Sequence, residues 1–132
     1  RLYSITSYSE LEKDAKSIQR QNTLSPSNKK QNYLQQLISN NDPIVATSDY
    51  VRAYSQLISS YTDNKFLALG TDGFGRSDTR KNLRNFFEVD SKHIVVSSLY
   101  TLYEDGIISL DKVEKAIKKY NLNNNKINPW DL

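Results

Sequence analysis

The chain has no cysteine. That excludes a disulfide framework and any thiolate metal site, and it agrees with a reducing cytoplasm, the expected location. Histidine occurs once, at position 93, so a histidine metal site cannot be anchored, and no Ser/His/Asp grouping surrounds it. His93 borders an apolar run, where a structural role is expected. No apolar stretch approaches the ~18 residues of a membrane span, and no signal-peptide pattern opens the sequence. Arg1 to Thr6 start without methionine and read as the middle of a strand, as in a fragment cut from a longer protein. There is no internal repeat and no Pro/Gly-rich linker. Residues 1–132 are therefore expected to form a single domain.

Of the 132 residues, 37% are hydrophobic and 25% charged, the balance of a globular protein with a modest core. The mean hydropathy of −0.68 owes much to Asn, Gln, Ser and Lys rather than to a charge block. A net charge of +3 raises the question of nucleic acid. The cations are scattered, however: Lys29-Lys30, Arg76, Arg80-Lys81, Arg84, Lys115 and Lys118-Lys119. They form neither a stripe nor an aromatic-interleaved motif, and nucleic acid is not an expected partner. The nine tyrosines fall mostly on helix faces, as core edges rather than a stacking platform.

Leu2 to Thr6 is a β-type run, and Ser9 offers an N-cap to a helix with Leu11, Ala15 and Ile18 on one face. Gln21 to Ser27 is polar, contains Pro26 and reads as a loop. Tyr33, Leu34, Leu37 and Ile38 mark a second helix that Asn40 to Pro43 ends. The apolar quartets Ile44–Thr47 and Phe66–Leu69 read as buried strands. Between them lies a helix capped by Ser48, with Tyr50, Ala53, Leu57, Ile58 and Tyr61 facing inward. Ser77 is expected to cap a helix burying Leu83, Phe86 and Phe87. For residues 90–106, β-branched and aromatic content favours a strand, while length, Asp90 or Ser91 as cap and Gly106 as stop favour a helix. Ser109 opens a cleaner helix, with Asp111 in its first turn and Lys118-Lys119 in its last, both matched to the helix dipole. Asn121 to Asn128 is a polar loop, and Trp130 is expected to fold back onto the surface. Short apolar strands alternating with amphipathic helices call for an α/β domain with a parallel sheet covered on both faces.

The sharpest local feature is the turn Gly70-Thr71-Asp72-Gly73-Phe74-Gly75-Arg76-Ser77-Asp78, between a strand and a helix. Its glycines permit close backbone approach, and a helix start supplies free N–H groups. Arg76 can contact a carboxylate or phosphate, and ligands of open α/β sheets sit at the carboxyl ends of strands. Gly73, Gly75, Arg76, Ser77 and Asp78 are thus a candidate anion site. The competing reading is a tight turn in which Ser77 and Asp78 cap the helix and Arg76 pairs with a neighbouring acid. Neither a dinucleotide fingerprint nor a P-loop is present.

From Pro43 onward the sequence resembles one family closely. The segments are Ile44–Tyr50, Leu69–Asp78 with Asn82-Leu83-Arg84, Phe87–Asp90 and Lys126-Ile127-Asn128-Pro129; Tyr3–Ser7 fits less distinctively. It is similar to the carboxy-terminal domain of the decarboxylating, thiamin-diphosphate-dependent pyruvate dehydrogenase subunit in its bacterial homodimeric form. The resemblance implies a transketolase C-terminal-like fold: a mixed, mostly parallel sheet with helices on both faces, including a helix within Asp90–Gly106. It implies a further strand–helix unit upstream of Arg1. It also implies a parent enzyme that decarboxylates pyruvate and acetylates lipoamide, with thiamin diphosphate and Mg²⁺ held in other domains. The family's metal-diphosphate motif needs Gly-Asp-Gly followed by paired Asn. Here Thr71 precedes Asp72-Gly73, and Asn124-Asn125 lies far downstream, so no catalytic, cofactor or metal residue is expected in this chain.

The implied role is assembly: packing against the other domains and the second subunit of the homodimer. The acetyltransferase core is the implied partner of the parent enzyme. Two alternatives stand beside it, a stand-alone α/β module for a small anion and the equivalent domain of another transketolase-family enzyme.

Overall fold

The computed structural model describes residues 1–122 and 125–131; the Asn123–Asn124 part of the Asn-rich loop lies outside the described residues. In chain order the elements are α1 (Tyr8–Leu24), α2 (Tyr33–Leu37), β1 (Ile44–Thr47), α3 (Arg52–Gln56), β2 (Phe66–Leu69), α4 (Arg80–Phe86), α5 (Ser91–Glu104) and α6 (Leu110–Tyr120). Single 3₁₀ turns occupy Pro26–Asn28, Ser59–Tyr61 and Pro129–Asp131.

The two apolar quartets form the expected parallel pair, with Ile44 opposite Phe66 and Thr47 opposite Leu69. A parallel pair needs a crossover, and α3 supplies it, packing on both strands. On the α3 side, Tyr8 of α1, Leu34 of α2 and Ile58 form the buried cluster, joined by Leu11, Tyr54 and Phe66. The rings of Tyr8 and Tyr54 meet edge to face at 5.5 Å. The second group is α5, which lies on both strands, with α6 packed on α5 and burying Val113 and Ala116. The α/β architecture is as expected. Among the described residues the sheet consists of this one parallel pair.

Several local expectations are corrected. Leu2 to Thr6 is irregular, not a strand. Residues 1–5 instead line a cavity of about 460 Å³ alongside Ile44–Ser48, and without ladder partners a β-type sequence does not become a strand. Ser7, not Ser9, caps α1, accepting from the Glu10 N–H at 3.2 Å. That helix runs on to Leu24, into the expected loop. It ends where Ser25 precedes Pro26, a position that disfavours helical backbone. α2 is fixed by a capping box in which Asn32 and Gln35 exchange hydrogen bonds. The buried Asn32 amide also donates to the Tyr61 carbonyl oxygen at 3.0 Å.

Residues 91–104 are helical, with Asp90 as cap, which resolves the open choice there. Gly106, at φ +72°, ends the helix in a Schellman motif: its N–H donates to the Tyr103 oxygen and that of Ile107 to the Leu102 oxygen. α4 closes in the same way around Glu88, at φ 61°. Asp111 and Lys118-Lys119 occupy the first and last turns of α6, as the dipole requires.

Candidate functional site

The carboxyl ends of β1 and β2 are built by a close approach of backbones. Gly70 follows β2 directly, and a Cβ there would lie 2.5 Å from the Arg52 nitrogen and 2.7 Å from the Tyr50 oxygen. Only glycine lets the strand exit pass the start of α3 at that distance. The Thr71 N–H then donates to the Tyr50 oxygen at 2.9 Å. Asp72 completes the junction, one oxygen accepting from the Arg52 N–H at 2.8 Å and the other lying 3.2 Å from its Nε. The second contact is an ion pair without hydrogen-bond alignment, for the buried Nε N–H points elsewhere. This capping is why α3 begins at Arg52 rather than just after Ser48. Among the described residues Ser48 accepts only from the Tyr50 N–H, and Tyr50 and Ala53, expected inside, are exposed.

Gly73 has φ +99°, and an added Cβ would lie 2.9 Å from both the Pro129 oxygen and the Trp130 Cα. The tail thus sits directly on the turn. Pro129 is buried, and the Arg52 guanidinium lies over the Trp130 ring at 5.2 Å. Lys126 anchors the approach, donating to the Phe86 oxygen at 2.7 Å and the Asn85 oxygen at 3.0 Å, with Glu88 at 3.5 Å. An ammonium on the last carbonyls of α4 suits the negative end of its dipole. The expected fold-back of Trp130 is present, and its partners are the turn glycine and Arg52.

Among the other candidate residues, Arg76 places its guanidinium over the Phe86 ring at 4.8 Å. Gly75 is exposed, and nothing lies within 4 Å of an added Cβ. Ser77 does not cap α4; Thr79 does, accepting from the Asn82 N–H. Asp78 braces that cap, accepting from the Thr79 N–H at 2.6 Å and the Asn82 amide at 2.9 Å. These bonds, the backbone one foremost, hold its carboxyl below the usual range. Gly73, Gly75, Arg76 and Asp78 do line one cavity, of about 460 Å³, together with Phe74 and Leu83. Ser77 is not part of its wall.

A larger cleft, about 920 Å³, opens at the carboxyl end of β1, between the first turns of α4 and α5. Thr47, Ser48 and Asp49 form its floor, with Arg80, Lys81 and Lys92 among its walls. Its two acids are engaged. Asp49 takes a two-pronged contact from Arg84, at 2.7 and 3.3 Å, which lowers its pKa and raises that of the arginine. Asp90 accepts from the Lys92 and His93 N–H groups, from the Asn85 amide and at 2.7 Å from His93 Nδ1. Desolvation pushes its pKa upward, but the hydrogen bonds from His93 and Asn85 win and hold it at about 2. The single histidine therefore serves a helix cap.

Sequence reasoning missed Asp72, Arg52, Lys126 and the Asp49–Arg84 pair as a working set. Each contact joins residues 20 or more apart, beyond any local pattern. The sequence signal was that the segments Ile44–Tyr50, Leu69–Asp78, Asn82–Arg84 and Lys126–Pro129 stood out separately, with nothing to pair them. Among the described residues no three His, Asp or Glu side chains converge to hold a metal ion.

Residues 1–90 match the model of the transketolase-like TK C-terminal domain. Over 133 residues, 99% of its length, the chain is 42% identical to the pyruvate dehydrogenase E1 component of Cupriavidus necator. The corresponding protein of Pseudomonas aeruginosa is 41% identical over 98% of the chain, and that of Escherichia coli K12 40% identical over 97%. The chain spans only 14–15% of the length of these relatives.

Proposed function

Since the chain belongs to the transketolase-like C-terminal domain family, we propose that it is the carboxy-terminal domain of a pyruvate dehydrogenase E1 enzyme and holds that enzyme together without entering its chemistry. The observation that carries this is identity of about 40% running through nearly the whole chain to proteins of that one name. In this reading the parent enzyme decarboxylates pyruvate with thiamin diphosphate and Mg²⁺ and passes the acetyl unit to lipoamide on a dihydrolipoyl acetyltransferase core. It is a cytoplasmic homodimer. Among the described residues no helix is long and apolar enough to cross a membrane.

The residues present do not fit a diphosphate-bound metal. Asp72, the acid of the Asp-Gly pair, is turned onto Arg52, and among the described residues no acid cluster stands beside it. No step of the reaction is assigned to this chain. Its part is mechanical: a rigid α/β unit whose outer surface packs against neighbouring domains and the second subunit. The two-stranded parallel sheet among the described residues supports placing a strand–helix unit before Arg1, since a lone parallel pair is short of the neighbours that such strands usually have.

Deleting residues 1–132 from the longer enzyme tests the reading. Weaker dimerisation and reduced pyruvate-dependent acetyl transfer are expected. Full activity with unchanged dimerisation would refute an assembly role.

A further inference from the structure

The cleft at the end of β1 has a charge balance that the turn beside it lacks. Four cations, Arg80, Lys81, Arg84 and Lys92, face it against two acids, Asp49 and Asp90. Arg84 and Asp49 neutralise each other, and the Asp90 carboxylate is saturated by the start of α5, Asn85 and His93. Arg80, Lys81 and Lys92 make no ion pair among the described residues, although Arg80 also acts on Asp49 through space; with Asp90 ionised, four cations against two acids leave the cleft a net charge of +2.

These three cations come from two separate helix starts and converge on a single concavity. Its position, outside the carboxyl end of a parallel strand, is where open α/β sheets take ligands. Its volume falls in the range of small-molecule sites, roughly 300–1,000 Å³. The helix N–H groups are not the main attraction, because Thr79 already takes that of Asn82 and Asp90 those of Lys92 and His93. The side chains are, aided by the hydroxyls of Ser48 and Ser91 on the cleft wall.

We propose that this cleft binds a small polyanion bearing phosphate groups, held by Arg80, Lys81 and Lys92. The Gly73–Asp78 turn is not its main contact. There the glycine is covered by the tail, Asp78 opposes an anion, and Arg76 lies on Phe86.

Inorganic pyrophosphate is the probe, titrated into the full chain by calorimetry and by amide NMR. The expected result is one saturable site, with shifts centred on Ser48, Asn82 and Ser91. R80Q/K92Q should weaken it about tenfold or more, while R76Q and K118Q/K119Q leave it nearly unchanged. Both replaced cleft residues are exposed and make no ion pair, so an unchanged thermal midpoint should accompany the loss. The proposal is overturned by an absence of saturable binding or by shifts centred on Gly73–Asp78. It is equally overturned if K118Q/K119Q weakens binding as much, which would mean net charge alone, or if polyglutamate competes as well as inorganic phosphate.

Discussion

Asp72 holds the first turn of α3 from outside, its Oδ1 accepting the Arg52 N–H at 2.8 Å while its Oδ2 lies 3.2 Å from the same residue's guanidinium. One carboxylate thus caps the crossover helix and ties the exit of β2 to it. Asp72→Ala should lower stability by about 1–3 kcal/mol, a lost cap plus an uncompensated cation. Asp72→Asn, which keeps an acceptor, should cost less. Urea midpoints of the two variants, with hydrogen exchange at the Arg52 amide, check the order.

The turn glycines should separate cleanly. Gly73→Ala combines a left-handed backbone with a Cβ 2.9 Å from the tail, and a loss of about 1–3 kcal/mol is expected. Gly75→Ala meets empty space with no positive φ, so its effect should stay within about 0.5 kcal/mol. Denaturant midpoints measured side by side give the comparison.

Lys126 predicts a released tail. Lys126→Met removes the donor to the Asn85 and Phe86 carbonyl oxygens, and about 1–2 kcal/mol of stability should go with it. Trp130 is the sole tryptophan, so its emission should shift to the red in this variant and in Gly73→Ala. An unchanged spectrum in both would mean that the tail is held by something else.

Acid should act through Asp90. Its folded pKa of about 2 lies below the 3.8 of a free carboxyl, so its stabilisation is present above pH 4 and drains away as pH falls through 2. The amount is on the order of 2 kcal/mol, one pKa unit being about 1.4. Asp90→Asn keeps a good N-cap but cannot titrate. Stability measured between pH 5 and 2 should fall less steeply in Asp90→Asn than in the parent protein.

The parts of the fold legible from sequence were those whose cause is local. Ile44–Thr47 and Phe66–Leu69 are apolar runs of strand length, and Asp90, Gly106 and Ser109 mark helix limits within one turn of themselves. The start of α3 was not legible, because its capping carboxylate sits 20 residues further on. Nor was the fate of Leu2–Thr6, since strand formation is a property of the pair and not of the segment. For the candidate site, the Gly70–Asp78 turn was visible as a motif, but its purpose was not: Gly73 is explained by Pro129 and Trp130, and Arg76 by Phe86. The cleft of Arg80, Lys81 and Lys92 escaped notice because its cations belong to different helices and read as solvated faces.

The seating of Pro129 and Trp130 on Gly73 also sets an order in time. A nascent chain that has just released β2 and α4 from the ribosome carries the turn but none of the residues that cover it. Until residues 126–131 are made, Gly73 has no lid and the α4 carbonyls no ammonium, so this edge of the sheet matures only after both strands and α4 have been made. A chain cut just before Lys126 would therefore keep both strands but leave the Gly73 rim uncovered.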